Sequence, residues 1–458
     1  MSDHAQGILM YETTLGPEAR AKIRDIEWAD VVIGIPSYRN SRTIGEVVEN
    51  LGEGIRTYLP DRRVVLMNAD GGSSDNTARQ VEEVDVPPNV CKLLIVYQGQ
   101  SGKGTAIRAI METAMELKAK VCTIVEARAP GIKPEWVPAL VDPVLRGADM
   151  VLPRYERSAY AAALTDNLAY PFLRMLFDSR LREPLAPEFS LSGTLAAYLA
   201  GRDVWETDVA RFGVNVWMAI QALVCPKPRP VPLGRSSEQE PLRVTQANLG
   251  YRGDPSGDPG APLDPRFLHT VGTLFRVLTT HRRIWQANPR GVEPIQEGKS
   301  AGDLLLDSEA QIEPLLRALY EGRKRYLPLW RQILSPQTLA RVLDALEQTE
   351  PYLFDPNMRD RVLGRVLPQE LWADVVIEFA IVFNQGEGDP DKVAEALLPL
   401  FYGRAASYIH ESRGMTVIER EKLVEQISNV FIQRMPSFVE KWNHYEPWLG
   451  DISEYWLS

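Results

Sequence analysis

Short apolar runs alternate with amphipathic stretches through the first half of the chain. Val31-Val-Ile-Gly-Ile35 is an unbroken apolar run stopped by Pro36, the pattern of a buried strand that opens into a loop. From Thr43 to Tyr58, the residues Ile44, Val47, Val48, Leu51 and Ile55 recur at helical spacing. Residues 63–67 read as a second strand. Ser74-Asp-Asn-Thr77 supplies helix N-caps ahead of residues 78–81, and residues 92–96 read as a third strand. A helix over 104–118 and a fourth strand over 121–125 follow. The fold class predicted is α/β: a Rossmann-like, mostly parallel sheet with helices on both faces. Ligands of such sheets sit beyond the carboxyl ends of the strands.

The texture changes at Ser236. Residues 251–265 are too rich in Gly and Pro to continue a helix or a central strand, so 236–265 is expected to be a loop or linker. Beyond it the apolar positions take a helical period. Leu268, Val271, Leu274, Phe275 and Leu278 form one stripe, and others fall near 308–325, 337–348, 369–384, 391–410 and 416–433. The expected organisation is an extension over 1–29, the α/β domain over 30–235, the linker, and a mostly α-helical domain over 266–458 with a break around 288–302. Trp442 and Trp448 are expected to pack against the first domain or a partner subunit.

Composition narrows the classes. At 458 residues the chain exceeds one ordinary core, which fits two domains. A net charge of -10 argues against a general nucleic-acid binder but leaves room for one local basic pocket. Cys91, Cys122 and Cys225 are odd in number and lack ligand-like spacing, so they read as buried reduced thiols. Residues 1–7 show no basic region leading into an apolar core, and no uncharged run approaches the ~18 residues of a membrane span. A cytoplasmic location is the expectation.

Two loops could carry chemistry at adjacent strand ends. Pro36-Ser-Tyr-Arg-Asn-Ser-Arg-Thr-Ile44 follows the first strand and Asp70-Gly-Gly-Ser-Ser-Asp-Asn-Thr77 the second. An Asp at a strand end can accept hydrogen bonds from a base imide or a ribose hydroxyl, and Gly71-Gly72 would let backbone approach a flat ligand. The bland alternative is a turn and a helix cap. The run Gly99–Thr105 is not a Walker loop, because Tyr97 stands where its first Gly belongs and Gly104 where its Ser or Thr belongs. Lys103 beside a helix N-terminus still makes an anion site, or else an ordinary Gly-rich helix start. The fourth strand runs into Glu126-Ala-Arg128.

Several motifs occur in a telling order. They are Ile35-Pro-Ser-Tyr38, Asn68–Thr77, Gly102-Lys-Gly104, Lys133-Pro-Glu-Trp136, Arg202–Gly213, Leu233-Gly234, Val271–Phe275 and Glu411–Met415. As a set they resemble the family-2-type GT-A glycosyltransferases, in the branch of glucosyl-3-phosphoglycerate synthase and mannosylglycerate synthase. The resemblance implies a GT-A fold and retaining transfer of a hexose from a nucleoside diphosphate sugar to a glycerate-type acceptor. It also implies that Pro36, Ser37, Tyr38, Asp70 and Gly71 hold the nucleoside, and that Gly102 and Lys103 meet the nucleotide side. The family's aspartate-x-aspartate metal element falls on Glu126-Ala127-Arg128. Its Gly-Gly-Asp acceptor loop falls on Ala186, Pro187 and Glu188, and its acidic residue before an apolar-Trp pair on Asn215. Its metal-binding His would lie near 235–237, where this chain has none: the five are His4, His269, His281, His410 and His444.

These departures point one way. Glu126 is at most the sole carboxylate left for a metal, and a divalent ion about 5 Å from the Arg128 guanidinium would be repelled by roughly 7 kcal/mol at an effective dielectric near 20. Mg²⁺ or Mn²⁺ is therefore disfavoured, and no cofactor is expected. Arg128 instead offers a planar fork to phosphate oxygens, unless it simply faces outward from a decayed site. Asn215 can orient a hydroxyl but cannot act as base or nucleophile, so turnover would need the leaving phosphate to take the acceptor proton. Pro187 removes an N–H and adds bulk, which alters or closes the acceptor pocket. Glu206 and Asp208 remain as acidic candidates or as a solvated cluster. Two functions stay open. One is a nucleotide-sugar-dependent hexosyltransferase with Arg128 and Asn215 at its centre. The other is a catalytically silent relative that binds ligand or protein. The expected partners are a nucleotide sugar and, if active, a small-molecule acceptor; a homodimer is left open, while nucleic acid and a membrane span are not expected.

Overall fold

A computed structural model describes residues 13–228, 240–253, 264–287, 293–298, 312–353, 355 and 358–447. The strands are β1 (Val31–Ser37), β2 (Val64–Asp70), β3 (Val90–Val96), β4 (Val121–Ile124), β5 (Met150–Glu156), β6 (Phe189–Ser192), β7 (Val244–Tyr251) and β8 (Ile295–Glu297). Among the described residues they run in the order β3-β2-β1-β4-β6-β5-β7-β8. β1 pairs in parallel with β2 and β4, and β2 with β3, whereas β6 is antiparallel to both β4 and β5. Every residue of β1, β2 and β4 is buried. That explains why their residues are mostly apolar: a strand covered on both faces has no polar face to show.

By contact the chain separates into two compact units. The first comprises Met1–Pro153, Pro187–Val214 and Pro226–Ala247; the second comprises Arg154–Ala186, Asn215–Cys225 and Asn248–Ser458. In the first unit the helix Lys103–Glu116 lies close on β1. A Cβ on Gly34 would come within 2.2 Å of Ile110.

The second unit is mainly helical, with long helices at Asp264–Thr280, Ile312–Ile333, Pro336–Leu353, Gln369–Gln385, Pro390–Glu411 and Val417–Asn443. These follow the apolar stripes read from the sequence. Its core also takes in Ala159–Leu164 and Tyr170–Phe177, joined by a π-helical turn over Thr165–Ala169. All five residues of that turn are buried, Asp166 and Asn167 included. The Asn167 carbonyl accepts from the Trp372 indole at 2.7 Å, and its side-chain oxygen accepts from Arg404 Nε at 2.8 Å.

Two expectations are corrected. Within 236–265, expected as loop or linker, the chain forms β7; Thr245 and Gln246 are buried there, so polar residues mask the strand. Trp442 packs inside the second unit's own core, edge-on to Trp285 at 5.7 Å and beside Phe438. Trp448 and the 235–237 segment lie outside the described residues. Among the described residues, no helix is long and apolar enough to cross a membrane.

Candidate functional site

β1 and β2 end side by side, with Ser37 in register with Asp70. The Asp70 carboxylate accepts four hydrogen bonds: Ser37 Oγ at 2.7 Å, Gly72 N at 2.8 Å, Ser73 N at 2.6 Å and Ser73 Oγ at 2.7 Å. A carboxylate has about four lone-pair positions, so Asp70 is saturated by Ser37 and its own loop. The bonding continues outward. Arg39 N donates to Ser73 Oγ (2.8 Å), Asn40 N to Thr77 Oγ1 (2.8 Å) and Ser41 N to Asp75 Oδ2 (3.2 Å). The Thr77 hydroxyl, followed by lesser bonds from Ser41, pulls the Asp75 carboxyl down to about 2. The two strand-end loops are thus fastened together by side chains that the turn-and-cap composition supplied.

Gly71 carries the close approach at this end of the sheet. A Cβ there would lie 3.1 Å from the Tyr97 hydroxyl and 3.3 Å from the Tyr38 ring. Tyr38 is 55% exposed and Tyr97 partly buried, so two aromatic rings border one bare stretch of backbone. Pro36 is buried inside β1. The Tyr97 hydroxyl donates to Gly102 O and accepts from Gly102 N, both at 3.2 Å. Tyr97 was not singled out for the site from sequence; its place one residue past β3 was the available signal. A cleft of about 570 Å³ opens beside this loop, with Asn68, Asp70, Gly72 and Ser73 facing the helix Pro17–Ile26.

Gly102 and Gly104 pack closely against backbone. A Cβ on Gly104 would fall 1.8 Å from Val209 O, and one on Gly102 would fall 2.3 Å from Ala210 O. The Gly104 N–H itself donates to Arg211 O at 3.2 Å. The start of the helix Lys103–Glu116 is therefore closed by backbone carbonyls. Gly104→Ala is expected to lower stability by about 1–3 kcal/mol, because the obstructing atoms are backbone and cannot swing aside. A shift of the urea midpoint below that range would show that the 209–211 segment yields.

Lys103 reaches across to Glu126, with Nζ 2.6 Å from Oε1; the lysine side chain is 10% exposed. Arg128 follows two residues later. It is exposed, and among the described residues it makes no ion pair or side-chain hydrogen bond. The intervening Ala127 carbonyl accepts from Thr43 Oγ1 at 2.7 Å, which ties this segment to the loop after β1. Glu126 is thus bonded to a lysine, and the position two residues on is a cation. Among the described residues, no group of three or more His, Cys, Asp or Glu is placed to hold a metal ion.

Asn215 is in the first turn of the helix Val214–Val224; its Nδ2 donates to Leu185 O at 3.4 Å, and its buried Oδ1 has no hydrogen-bond partner among the described residues. Ala186 is buried and its N–H donates to Glu183 O at 3.1 Å. Both belong to the second unit, whereas Pro187 and Glu188 belong to the first, where Glu188 is fully buried. Glu206 is exposed, and Asp208 begins the short turn Asp208–Ala210.

A scan against protein-family models finds none that matches the chain, and a search of curated proteins finds no match. Among solved structures, the chain is similar to glucosyl-3-phosphoglycerate synthase from Mycobacterium tuberculosis in complex with Mg²⁺ and UDP (18% identity, 56% of this chain and 82% of that chain, TM-score 0.38). It is also similar to the same synthase with Mn²⁺, UDP and phosphoglyceric acid (19%, 56% and 81%, TM-score 0.39). A crystal structure of a mycobacterial protein matches at 19% identity over 57% of this chain and 77% of that one, with TM-score 0.37. At these scores no residue role passes from those proteins to this one.

Proposed function

We propose that the strand-end site binds a nucleoside diphosphate sugar without a metal ion, and that the chain is a glycosyltransferase-like protein of GT-A type over residues 30–235. The observation that carries this reading is Arg128. It is an exposed guanidinium with no side-chain partner among the described residues, beside a carboxylate already bonded to Lys103. Such a fork suits phosphate oxygens and needs no counter-ion. Tyr38 and the bare Gly71 backbone offer the nucleoside a flat surface. Asp70 acts by shaping that surface, since its own acceptor sites are filled.

If the chain turns over, the bond from the sugar's anomeric carbon to phosphate oxygen breaks and one to an acceptor hydroxyl oxygen forms on the same face. The departing phosphate takes the acceptor's proton. A catalytically silent ligand-binding protein is the second reading, favoured by the Asn215 amide resting on the Leu185 carbonyl.

Calorimetric titration with UDP, ADP and GDP and their hexose conjugates, each with EDTA, Mg²⁺ or Mn²⁺, tests both. One nucleotide is expected to bind with the same affinity under chelation as with metal. Binding that disappears with EDTA would refute the metal-free site, and no binding under any condition would refute the nucleotide reading. Hexose release or transfer, followed by NMR, separates the enzyme from the silent relative.

A further inference from the structure

Among the described residues, four non-glycine residues have positive φ: Glu27, Arg39, Lys118 and Asp178. Glu27 and Asp178 close the C-terminal ends of Pro17–Ile26 and Tyr170–Phe177, and Lys118 follows the end of Lys103–Glu116. A left-handed residue is a common way for a helix to stop. Arg39, at φ 55°, ends no helix. It sits in the loop after β1, where a residue with a Cβ adopts this conformation only at a cost. The loop bonding holds it there. Its N–H is fixed on Ser73 Oγ, and Tyr38 N and Asn40 N on either side are bonded to Asn40 Oδ1 and Thr77 Oγ1.

The side chain held in this way is an exposed cation. Its guanidinium lies over the Tyr38 ring, 5.2 Å from the centroid, and it has no carboxylate partner among the described residues. The acids of the site are engaged elsewhere: Asp70 with Ser37, Gly72 and Ser73, Asp75 with Ser41 and Thr77, and Glu126 with Lys103. Strain kept at a strand end, with an uncompensated charge as its result, points to a ligand.

We propose that Arg39 is a phosphate-binding residue: its guanidinium leaves the Tyr38 ring to pair with a phosphate group of the bound ligand while the ring takes the planar base. The position of the base rests on the nucleotide reading above; the pairing with phosphate does not.

The test uses the full chain with Arg39→Asn, Arg39→Gly and Arg39→Lys. Asn and Gly accept left-handed backbone, so the loop is retained without the charge. Thermal melts and calorimetric titrations with uridine, UDP, ADP, GDP and inorganic pyrophosphate are measured on each. Arg39→Gly and Arg39→Asn are expected to melt at or above the wild-type temperature. Both should raise the Kd for the bound nucleoside diphosphate and for pyrophosphate about tenfold, the scale of one charge-assisted hydrogen bond, with uridine unchanged and Arg39→Lys intermediate. Affinities for both anions within twofold of wild type would overturn the proposal. A wild-type chain that binds pyrophosphate but no nucleoside diphosphate would refute the nucleotide reading alone, and Arg39 would then be judged on pyrophosphate. A wild-type chain that binds neither overturns both.

Discussion

Arg182→Met is expected to lower the unfolding free energy by about 3–5 kcal/mol, the usual cost of removing one member of a buried ionic cluster. Arg182 is buried in the helical unit. Its Nη2 lies 2.8 Å from Asp166 Oδ1 and 3.0 Å from Glu421 Oε1, and its Nε donates to Glu421 Oε2 at 3.0 Å. The guanidinium also stacks over the Tyr170 ring at 5.0 Å. Methionine can fill the volume but leaves Asp166 charged inside the core. Asp166→Asn added to Arg182→Met should therefore recover part of the loss, whereas a loss below about 1 kcal/mol for Arg182→Met in urea unfolding would contradict this account.

The same cluster sets an acid limb. Burial pushes the Asp166 carboxyl up, but Arg182, Arg420, the Tyr408 hydroxyl and Arg157 outweigh it and hold the group below its ordinary value. A carboxyl depressed in the folded state adds stability that is present above its unfolded pKa, near 4, and is lost as pH falls through the folded value. Glu183 works in the opposite sense. Burial, only partly countered by Arg157 and Arg182, raises it, so its contribution is lost as pH rises through its folded pKa. Below about pH 4, wild-type stability should fall, and the slope should flatten in Arg182→Met.

Arg128→Ala should weaken binding of the nucleoside diphosphate by about 10- to 100-fold, the range for charge-assisted hydrogen bonds to phosphate at a partly screened site. The effect should shrink at high salt and be the same with EDTA or Mg²⁺. Uridine alone should bind as before. A second variant carries the electrostatics further: Arg128→Asp would place two acids flanking Ala127 and should make nucleotide binding depend on Mn²⁺. An Arg128→Ala Kd within twofold of wild type would leave the side chain without a role.

The sequence-level reading of the strands succeeded where burial is two-sided, because Val31–Ile35 and Val121–Val125 have no other physical use. The helical stripes after 266 were legible for the matching reason: each buries one face. β7 was not legible, since Thr245 and Gln246 are buried polar residues and alternation is lost. That residues 154–186 join the helical unit, with a π-helical turn at Asp166, is a tertiary outcome that no local period encodes. At the site, composition located the loops but not their bonding. Nothing in Asp70-Gly-Gly-Ser distinguishes a carboxylate open to ligand from one consumed by Ser37, Gly72 and Ser73. Gly102 and Gly104 looked like an anion loop because glycine marks close approach without saying what approaches; here it is the 209–211 backbone.

The fastening of the loops after β1 and β2 has a kinetic consequence. Backbone that is already ordered by Asp70, Ser73, Asp75 and Thr77 loses little further freedom when something lands on it. Nucleotide capture at these loops should therefore follow a single-step time course, its observed rate rising linearly with concentration and showing no plateau from a slow closing motion.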